Sequence, residues 1–345
     1  MKYESKRPTI RDVARETKLS IATVSFVLNG KDKNIPEETQ KKVLDAAKKI
    51  GYRPNRLAVG LVTNKTNIIG FICPDSGNLF FADLCRGIET AAQSFGYRII
   101  LGNTRNDSKK DMEYLRVFAD QCVDGIIFAK AQGTKEDDEN LLAFLRESQI
   151  PAVIVDRHIN HHEIATVMLD HKQGGYLATK YLLSLGHRRI GCVTGPFALE
   201  SALQRLEGYK TALEESGIQY DPTLVVEGAY QYQDGVDAFP ILISKKITAV
   251  FACNDMMAFG IYKAAKDQGY AIPEDLSVVG FDDVPYCDIL SPALTTIQQP
   301  IADIGAESVR LLVNAIQSNS AITEGERLFS PTLIVRKSCA ECAKR

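Results

Sequence analysis

The sequence predicts an α/β protein: a small all-α helix-turn-helix head followed by a two-lobed core of doubly wound parallel sheets. Three observations carry this. Apolar residues recur at helical spacing between residues 10 and 50. From residue 67 onward, short apolar runs alternate with helical stretches, and the alternation runs through two successive series. Charge divides along the same line: residues 1–65 hold 15 Lys plus Arg against 7 Asp plus Glu, while the rest holds 26 against 36, beneath an overall charge of only −2.

The head begins with residues 9–29, TIRDVARETKLSIATVSFVLN. Ile10, Val13 and Ala14 form one apolar stripe, and Leu19 leads into a second made of Val24, Val27 and Leu28. Two short helices meeting at a tight turn result. Thr9 is expected to cap the first and Ser20 the second, each hydroxyl accepting a bond from a free amide of the following turn. Ile21, Ala22, Ser25, Phe26 and Asn29 then point outward, as a helix entering the major groove of DNA requires. Paired amphipathic helices also arise simply to bury their stripes. The net +8 of the first 65 residues favours a phosphate partner over that plain reading. Thr23, Ser25 and Asn29 suit phosphate contacts, which position a protein without selecting sequence.

Residues 36–50 read as a third helix. Pro36 suits its first turn, Glu37 and Glu38 its positive end, and Lys48 and Lys49 its negative end. Val43, Leu44, Ala47 and Ile50 are expected to close the three-helix core before Gly51 stops the helix.

A chain of 345 residues with 45% hydrophobic content can bury a large core besides this head. It contains no run of about 18 apolar residues to span a bilayer. The start, MKYESKRPTI, lacks the apolar centre of a signal peptide, so a cytoplasmic location is expected. Eight cysteines, mostly isolated, read as small core residues of a reducing compartment. Only Cys339 and Cys342 form a CxxC, with no second ligand pair nearby, so no metal site is expected.

DVAR at 12–15, SIATVS at 20–25, VLNG at 27–30 and GYRPNRLAVGL at 51–61 resemble the LacI/GalR family of transcriptional regulators. The resemblance runs almost the full chain and implies three parts: a DNA-binding head (1–51), a hinge helix (52–66) and an effector-binding and dimerisation body (67–345). It also implies that the hinge orders on operator DNA, with Leu61 as an apolar wedge in the minor groove. Asn55, Arg56 and Ala58 flank that groove side, and Gly60 makes the segment a poor helix in isolation. Taken without the head, the same segment reads as a charged linker. Phe26 departs from the family pattern, which often places a polar or basic side chain there. Phe cannot read guanine as Arg does; it can meet a thymine methyl or pack inside the head.

In the body, IIGFIC (68–73), YRIILGN (97–103), DGIIFA (124–129) and PAVIVD (151–156) suit buried parallel strands, with helices at 80–94, 108–120 and 136–147 between them. A second series follows with RIGCVTG (189–195), LVVEG (224–228), TAVFAC (248–253) and SVVGFDD (277–283). LTTIQQP (294–300) and a final strand LIVRKS (333–338) are expected to cross between lobes. The whole resembles a periplasmic sugar-binding protein, which implies one lobe from about 67–167 and 298–323 and another from about 168–297 and 324–340.

Open sheets of this class bind ligands at the carboxyl ends of their strands. Asn78, Phe80, Phe81, Asp156, Arg157, Arg205, Tyr230, Asn254, Phe281, Asp282 and Gln299 fall at such ends or in the crossover. Aromatic faces pack on sugar C–H faces, Asp and Asn share hydroxyl protons, and Arg donates from one planar fork. NxFF at 78–81, DR at 156–157, the aromatic at 230, ND at 254–255, GFD at 280–282 and Gln299 resemble the ligand contacts of ribose-type binding proteins. Arg205 resembles an effector contact of nucleobase-responsive regulators. The implied partners are operator DNA, a small sugar effector and a second copy of the chain. Taken singly, these aspartates and arginines also fit loop-holding ion pairs.

Other features carry less. His158, His161 and His162 share one loop without Cys or paired carboxylates in register, and read as polar surface. Gly174 and Gly175 are expected to precede a helix whose Leu177, Tyr181, Leu182 and Leu185 are core. No dinucleotide or phosphate-binding glycine loop occurs and no cofactor is expected. An α/β enzyme is the rival class, but no nucleophile stands with a matching base, and an enzyme has no use for the basic head. A regulator triggered by a phosphorylated partner protein, or by a non-sugar metabolite, is the second alternative.

Overall fold

A computed structural model describes residues 8–28, 35–53, 65–157, 159, 164–318 and 325–342. The chain divides into two compact units, Met1–Thr66 and Asn67–Arg345.

The first unit holds three helices, α1 (Ile10–Thr17), α2 (Ile21–Leu28) and α3 (Glu37–Lys49). Val13, Ala14, Val24, Val43, Ala46 and Ala47 form its small core. Ser20 caps α2 as expected, its Oγ accepting from Thr23 N at 3.0 Å. Thr9 caps α1 in a reciprocal capping box: its side chain meets the Asp12 backbone N–H, and the Asp12 carboxylate accepts from the Thr9 hydroxyl and backbone N–H, each at 2.8 Å. The acidic side chain at the third helical position, an acceptor only, adds the return half of the box that the sequence reading did not name. Leu44 is a correction. It is 53% exposed, and Ala46 is buried in its place. Val43, Ala46, Ala47 and Ile50 follow the i, i+3, i+4, i+7 rule, which leaves Leu44 about 100° off the stripe.

The second unit contains two six-stranded sheets. The first uses β1 (Ile68–Cys73), β2 (Arg98–Asn103), β3 (Gly125–Phe128), β4 (Ala152–Val155), β5 (Ala165–Leu169) and β11 (Glu326–Phe329), in the order β11-β5-β4-β3-β1-β2. Between them run α4 (Leu79–Ser94), α5 (Ser108–Asp120) and α6 (Lys135–Ser148). The second uses β6 (Ile190–Thr194), β7 (Val225–Glu227), β8 (Ala249–Ala252), β9 (Ser277–Asp282), β10 (Thr295–Gln298) and β12 (Thr332–Ile334), in the order β12-β10-β9-β8-β6-β7. Its helices are α7 (His171–Ser184), α8 (Glu200–Glu215), α9 (Tyr232–Ser244) and α10 (Asp255–Asp267). All pairings are parallel except β10 with β12. Central strands such as β1, β3 and β8 are apolar because both faces lie under helices.

The chain passes between the sheets three times: after β5, after β10 into α11 (Ile301–Ser318), which packs on α4, and between β11 and β12. The last crossing corrects the lobe boundary expected at residue 324. Residues 326–329 pair with β5 in the first sheet, and only after Ser330 and Pro331 does the chain join the second. Glycines 174 and 175 lie inside α7 rather than before it, because Asp170 caps the helix by accepting from Gln173 N at 2.8 Å. The Gly175 Cα faces α8 so closely that an added Cβ would lie 2.0 Å from the Arg205 carbonyl oxygen.

Candidate ligand cleft and helix-turn-helix

Nine of the residues expected for the ligand, Asn78, Phe80, Phe81, Asp156, Arg157, Arg205, Tyr230, Asn254 and Asp282, line one cleft at the carboxyl ends of both sheets, together with Ser201. Parallel topology explains the convergence, since every strand of such a sheet delivers its following loop to the same edge. Asn78 caps α4, its Oδ1 accepting from Phe80 N at 3.0 Å, and so fixes where the Phe80–Phe81 pair begins. Phe80 and Phe81 stand edge to face, ring centres 5.0 Å apart. Asn254 caps α10 through Met257 N and donates its Nδ2 to the Tyr230 carbonyl at 3.0 Å. Three wall residues adopt the left-handed backbone that side chains rarely take: Asp156 (φ 67°), Tyr230 (φ 62°) and Asp282 (φ 119°). Such conformations cost roughly 1–3 kcal/mol each and gather where a side chain must be aimed.

Charge on the wall is buried and paired across short gaps. Arg157 stands 3.9 Å from Asp156, and its Nη1 donates to Asn106 Oδ1 at 2.8 Å and to the Lys130 carbonyl at 2.9 Å. Arg205 stands 3.9 Å from Asp282 and donates to His171 Nδ1 at 3.3 Å and to the Cys253 carbonyl. Burial pushes the Asp156 and Asp282 carboxyls up, against the pull of Arg157 and Arg205 respectively. Burial also lifts the Tyr230 phenol to about 12, so it remains protonated and able to donate.

Two expected residues lie behind the wall. Phe281 is fully buried beneath the Arg205 guanidinium, because it precedes Asp282 on β9 and successive strand side chains face opposite ways. Gln299 stands behind Asp282, donating Nε2 to its Oδ1 at 2.7 Å. Ser201 and His171 were not expected at the cleft. The signal for His171 was a capping Asp170 directly before it, which makes it the first residue of a helix beginning at a strand's carboxyl end.

The free space between these walls is only about 30 Å³, far below the several hundred typical of ligand sites. Yet Tyr230 Oη, His171 Nε2 and Gln299 Oε1 are buried here without a hydrogen-bond partner among the described residues. A neighbouring space of about 260 Å³, sharing Arg157 and Ser201, continues the cleft towards Lys130 and Thr134.

On the helix-turn-helix, Ile21 and Phe26 are each 47% exposed, Ala22 is exposed, and Thr23 and Ser25 are half-buried. Phe26 therefore does not pack inside the head. Asn29 and the hinge residues Asn55, Arg56, Ala58 and Leu61 lie outside the described residues, as do His158, His161 and His162. Among the described residues no cluster of His, Cys, Asp or Glu suits a metal ion, and no helix is long and apolar enough to cross a membrane.

Comparison with known proteins places both parts. Residues 9–55 match the bacterial regulatory proteins of the lacI family, and residues 179–339 match the periplasmic binding protein-like domain. Catabolite control protein A of Priestia megaterium is 40% identical over 309 residues, covering 88% of this chain and 91% of that protein. A LacI family transcriptional regulator from Enterococcus faecium with bound ribose is 34% identical (TM-score 0.72), covering 80% of this chain and all of that one. The lac repressor dimer bound to operator and the anti-inducer ONPF is 27% identical (TM-score 0.86), covering 97% of this chain and all of that one.

Proposed function

The chain belongs to the LacI family of bacterial regulatory proteins, and from that premise we propose that it is a transcriptional repressor whose operator affinity is set by a ribose-like sugar held between its two lobes. The family makes it a DNA-binding regulator; the sugar is the further step. The observation that carries it is the chemistry of the cleft. Buried Asp282 and Arg205 and largely buried Asp156 and Arg157 face Phe80, Phe81 and Tyr230 in a space that suits a small ring with several hydroxyls. The ribose named for the Enterococcus faecium relative supports the same ligand class.

With about 30 Å³ free, the lobes must part to admit a ring and close on it, and the three crossings are where they turn. Effector binding then changes the separation of the two hinge segments in a dimer. Such coupling is typically about 1–3 kcal/mol and is reciprocal, so operator DNA also tunes sugar affinity. Leu61, with Asn55, Arg56 and Ala58, is assigned the minor-groove contact on sequence grounds, and Ile21, Ala22 and Phe26 the major-groove face.

A homodimer is supported by an apolar groove of about 1070 Å³ in the body, lined by Phe259, Tyr262, Tyr286 and Ile289 among others, with Ile289 75% exposed. A two-fold protein pairs its heads with the half-sites of a pseudo-palindrome.

Selection of bound duplexes from a random library at moderate salt, with and without D-ribose, tests the reading. Enrichment of a pseudo-palindrome whose affinity changes with ribose is expected. No enriched sequence would remove the operator, and an enriched sequence indifferent to ribose would remove the sugar.

A further inference from the structure

His171 opens α7 one residue after the chain leaves the first sheet, and it is 1% exposed. Its Nδ1 accepts from Arg205 Nε at 3.3 Å. Burial, and then the neighbouring Arg205 charge, hold the imidazole well below its usual range, so the ring is neutral. A neutral ring whose Nδ1 accepts must carry its proton on Nε2. That N–H faces Asp156, whose Oδ1 is 4.0 Å away; its one weak interaction there is with the Asp156 backbone, and it makes no well-formed hydrogen bond among the described residues. The gap is about 1 Å beyond hydrogen-bond reach.

The two neighbours of His171 belong to different lobes. Asp156 follows β4 of the first sheet, whereas Arg205 sits on α8 over the second and leads on to Asp282 and Gln299 at the second crossing. We infer that His171 is a positioning residue of the cleft, anchoring Arg205 through Nδ1 and donating Nε2–H to Asp156 when the lobes close on a ligand. Closure then completes one polar line, Asp156–His171–Arg205–Asp282–Gln299, from the first crossing to the second. A local approach of the Asp156 loop to α7 by about 1 Å, as the walls re-form around the ring, suffices, and the bond it makes is charge-assisted and out of water, where such bonds are strongest. His171 does not line the free space itself, so it acts through Arg205 and Asp156 rather than on the ligand. The inference rests on the cleft being the ligand site.

Two measurements on the full chain test it. In the first, D-ribose is titrated calorimetrically into the wild type, His171→Phe, which keeps the ring shape without either nitrogen, and His171→Asn, whose amide oxygen replaces Nδ1 as acceptor. His171→Phe is expected to bind about 30-fold more weakly, the loss of hydrogen bonds to charged groups. His171→Asn is expected to recover part of that loss, which a ring acting only as packing would not allow. Phe-variant affinity within threefold of wild type, measured on folded protein, overturns the inference. The second uses ¹⁵N spectra of the His171 ring and needs no effector: protonated Nε2 at neutral pH supports the inference, and a protonated Nδ1 or an imidazolium overturns it. If wild-type protein ignores ribose, the sugar reading falls while the ring tautomer still decides the role of His171.

Discussion

The Arg205 guanidinium carbon lies 3.7 Å above the centre of the Phe281 ring, with the Tyr230 ring 5.6 Å away. The guanidinium is therefore fixed by aromatic faces as well as by its bonds to His171 and the Cys253 carbonyl. A planar fork can stack and donate in two directions at once; an ammonium cannot. Arg205→Lys should accordingly keep the charge opposite Asp282 and lose the geometry, weakening ribose binding at least 10-fold by calorimetry. Arg205→Met goes further, leaving a buried Asp282 without its counter-charge. It should lower unfolding free energy at pH 7 by about 3 kcal/mol. The deficit should shrink as pH falls, because burial already pushes the Asp282 carboxyl up and a protonated Asp282 needs no counter-charge.

Gly175 couples this site to the packing of α7 on α8. A Cβ there would lie 2.0 Å from the Arg205 carbonyl oxygen, and neither atom can rotate away because both belong to helix backbones. Gly175→Ala must push α8 outward, at a cost of roughly 1–3 kcal/mol or more for overpacking. Since Arg205 rides on α8, ribose affinity should fall along with the denaturation midpoint. Leu177→Ala, on the same helix but away from this crossing, should lower stability without that loss of affinity.

How much of this was legible in the sequence follows from burial. Strands covered on both faces, such as 68–73 and 249–252, announce themselves as apolar runs. Residues 326–329 do not, because this edge strand leaves Glu326, Arg327 and Leu328 exposed, and no pattern distinguished it from a loop. Residues 165–169 are fully buried, yet were not separated from the His-rich loop before them. At the site, position at a strand end identified Asp156 and Asp282. Placing Phe281 on the same wall overlooked the two-residue alternation, which sends neighbours to opposite faces. His171 stayed hidden because placing the start of α7 beyond Gly175 left it in a loop.

The buried Asp111 gives the body a pH dependence. Burial lifts its carboxyl to about 7, against the lowering effect of the Ala131 N–H, which donates to Oδ2 at 2.8 Å, and of the Arg157 and Lys130 charges. In the unfolded chain an aspartate titrates near 3.9. Below about pH 4 both states hold the proton and this group's contribution is fully present; between about 4 and 7 only the unfolded state releases it. Stability from this group therefore falls as pH rises across that window, by an amount on the order of a few kcal/mol, and is level above it. Asp111→Asn removes the titration, so urea unfolding of the variant at pH 4.5, 5.5, 6.5 and 7.5 should show a shallower decline than wild type.

The head offers the sharpest separation of function from stability. Ile21 and Phe26 are each about half exposed on α2, while the small core of the head is made by Val13, Val24, Val43, Ala46 and Ala47. Truncating either exposed side chain leaves that core intact, so Phe26→Ala and Ile21→Ala should change unfolding free energy by about 0.5 kcal/mol or less. If the outward face of α2 enters the major groove, the same variants lose apolar contacts with base edges such as the thymine methyl. Affinity for the selected operator should then fall about 10-fold, with little change for random duplex. Salt distinguishes the two contributions: the net positive head should give a steep decline of binding with ionic strength, and the alanine variants should keep that slope, having removed no charge. Anisotropy titrations on operator and random duplex at 50–200 mM salt measure both, and a Phe26→Ala variant that binds its operator as tightly as wild type would remove α2 from the base-reading role.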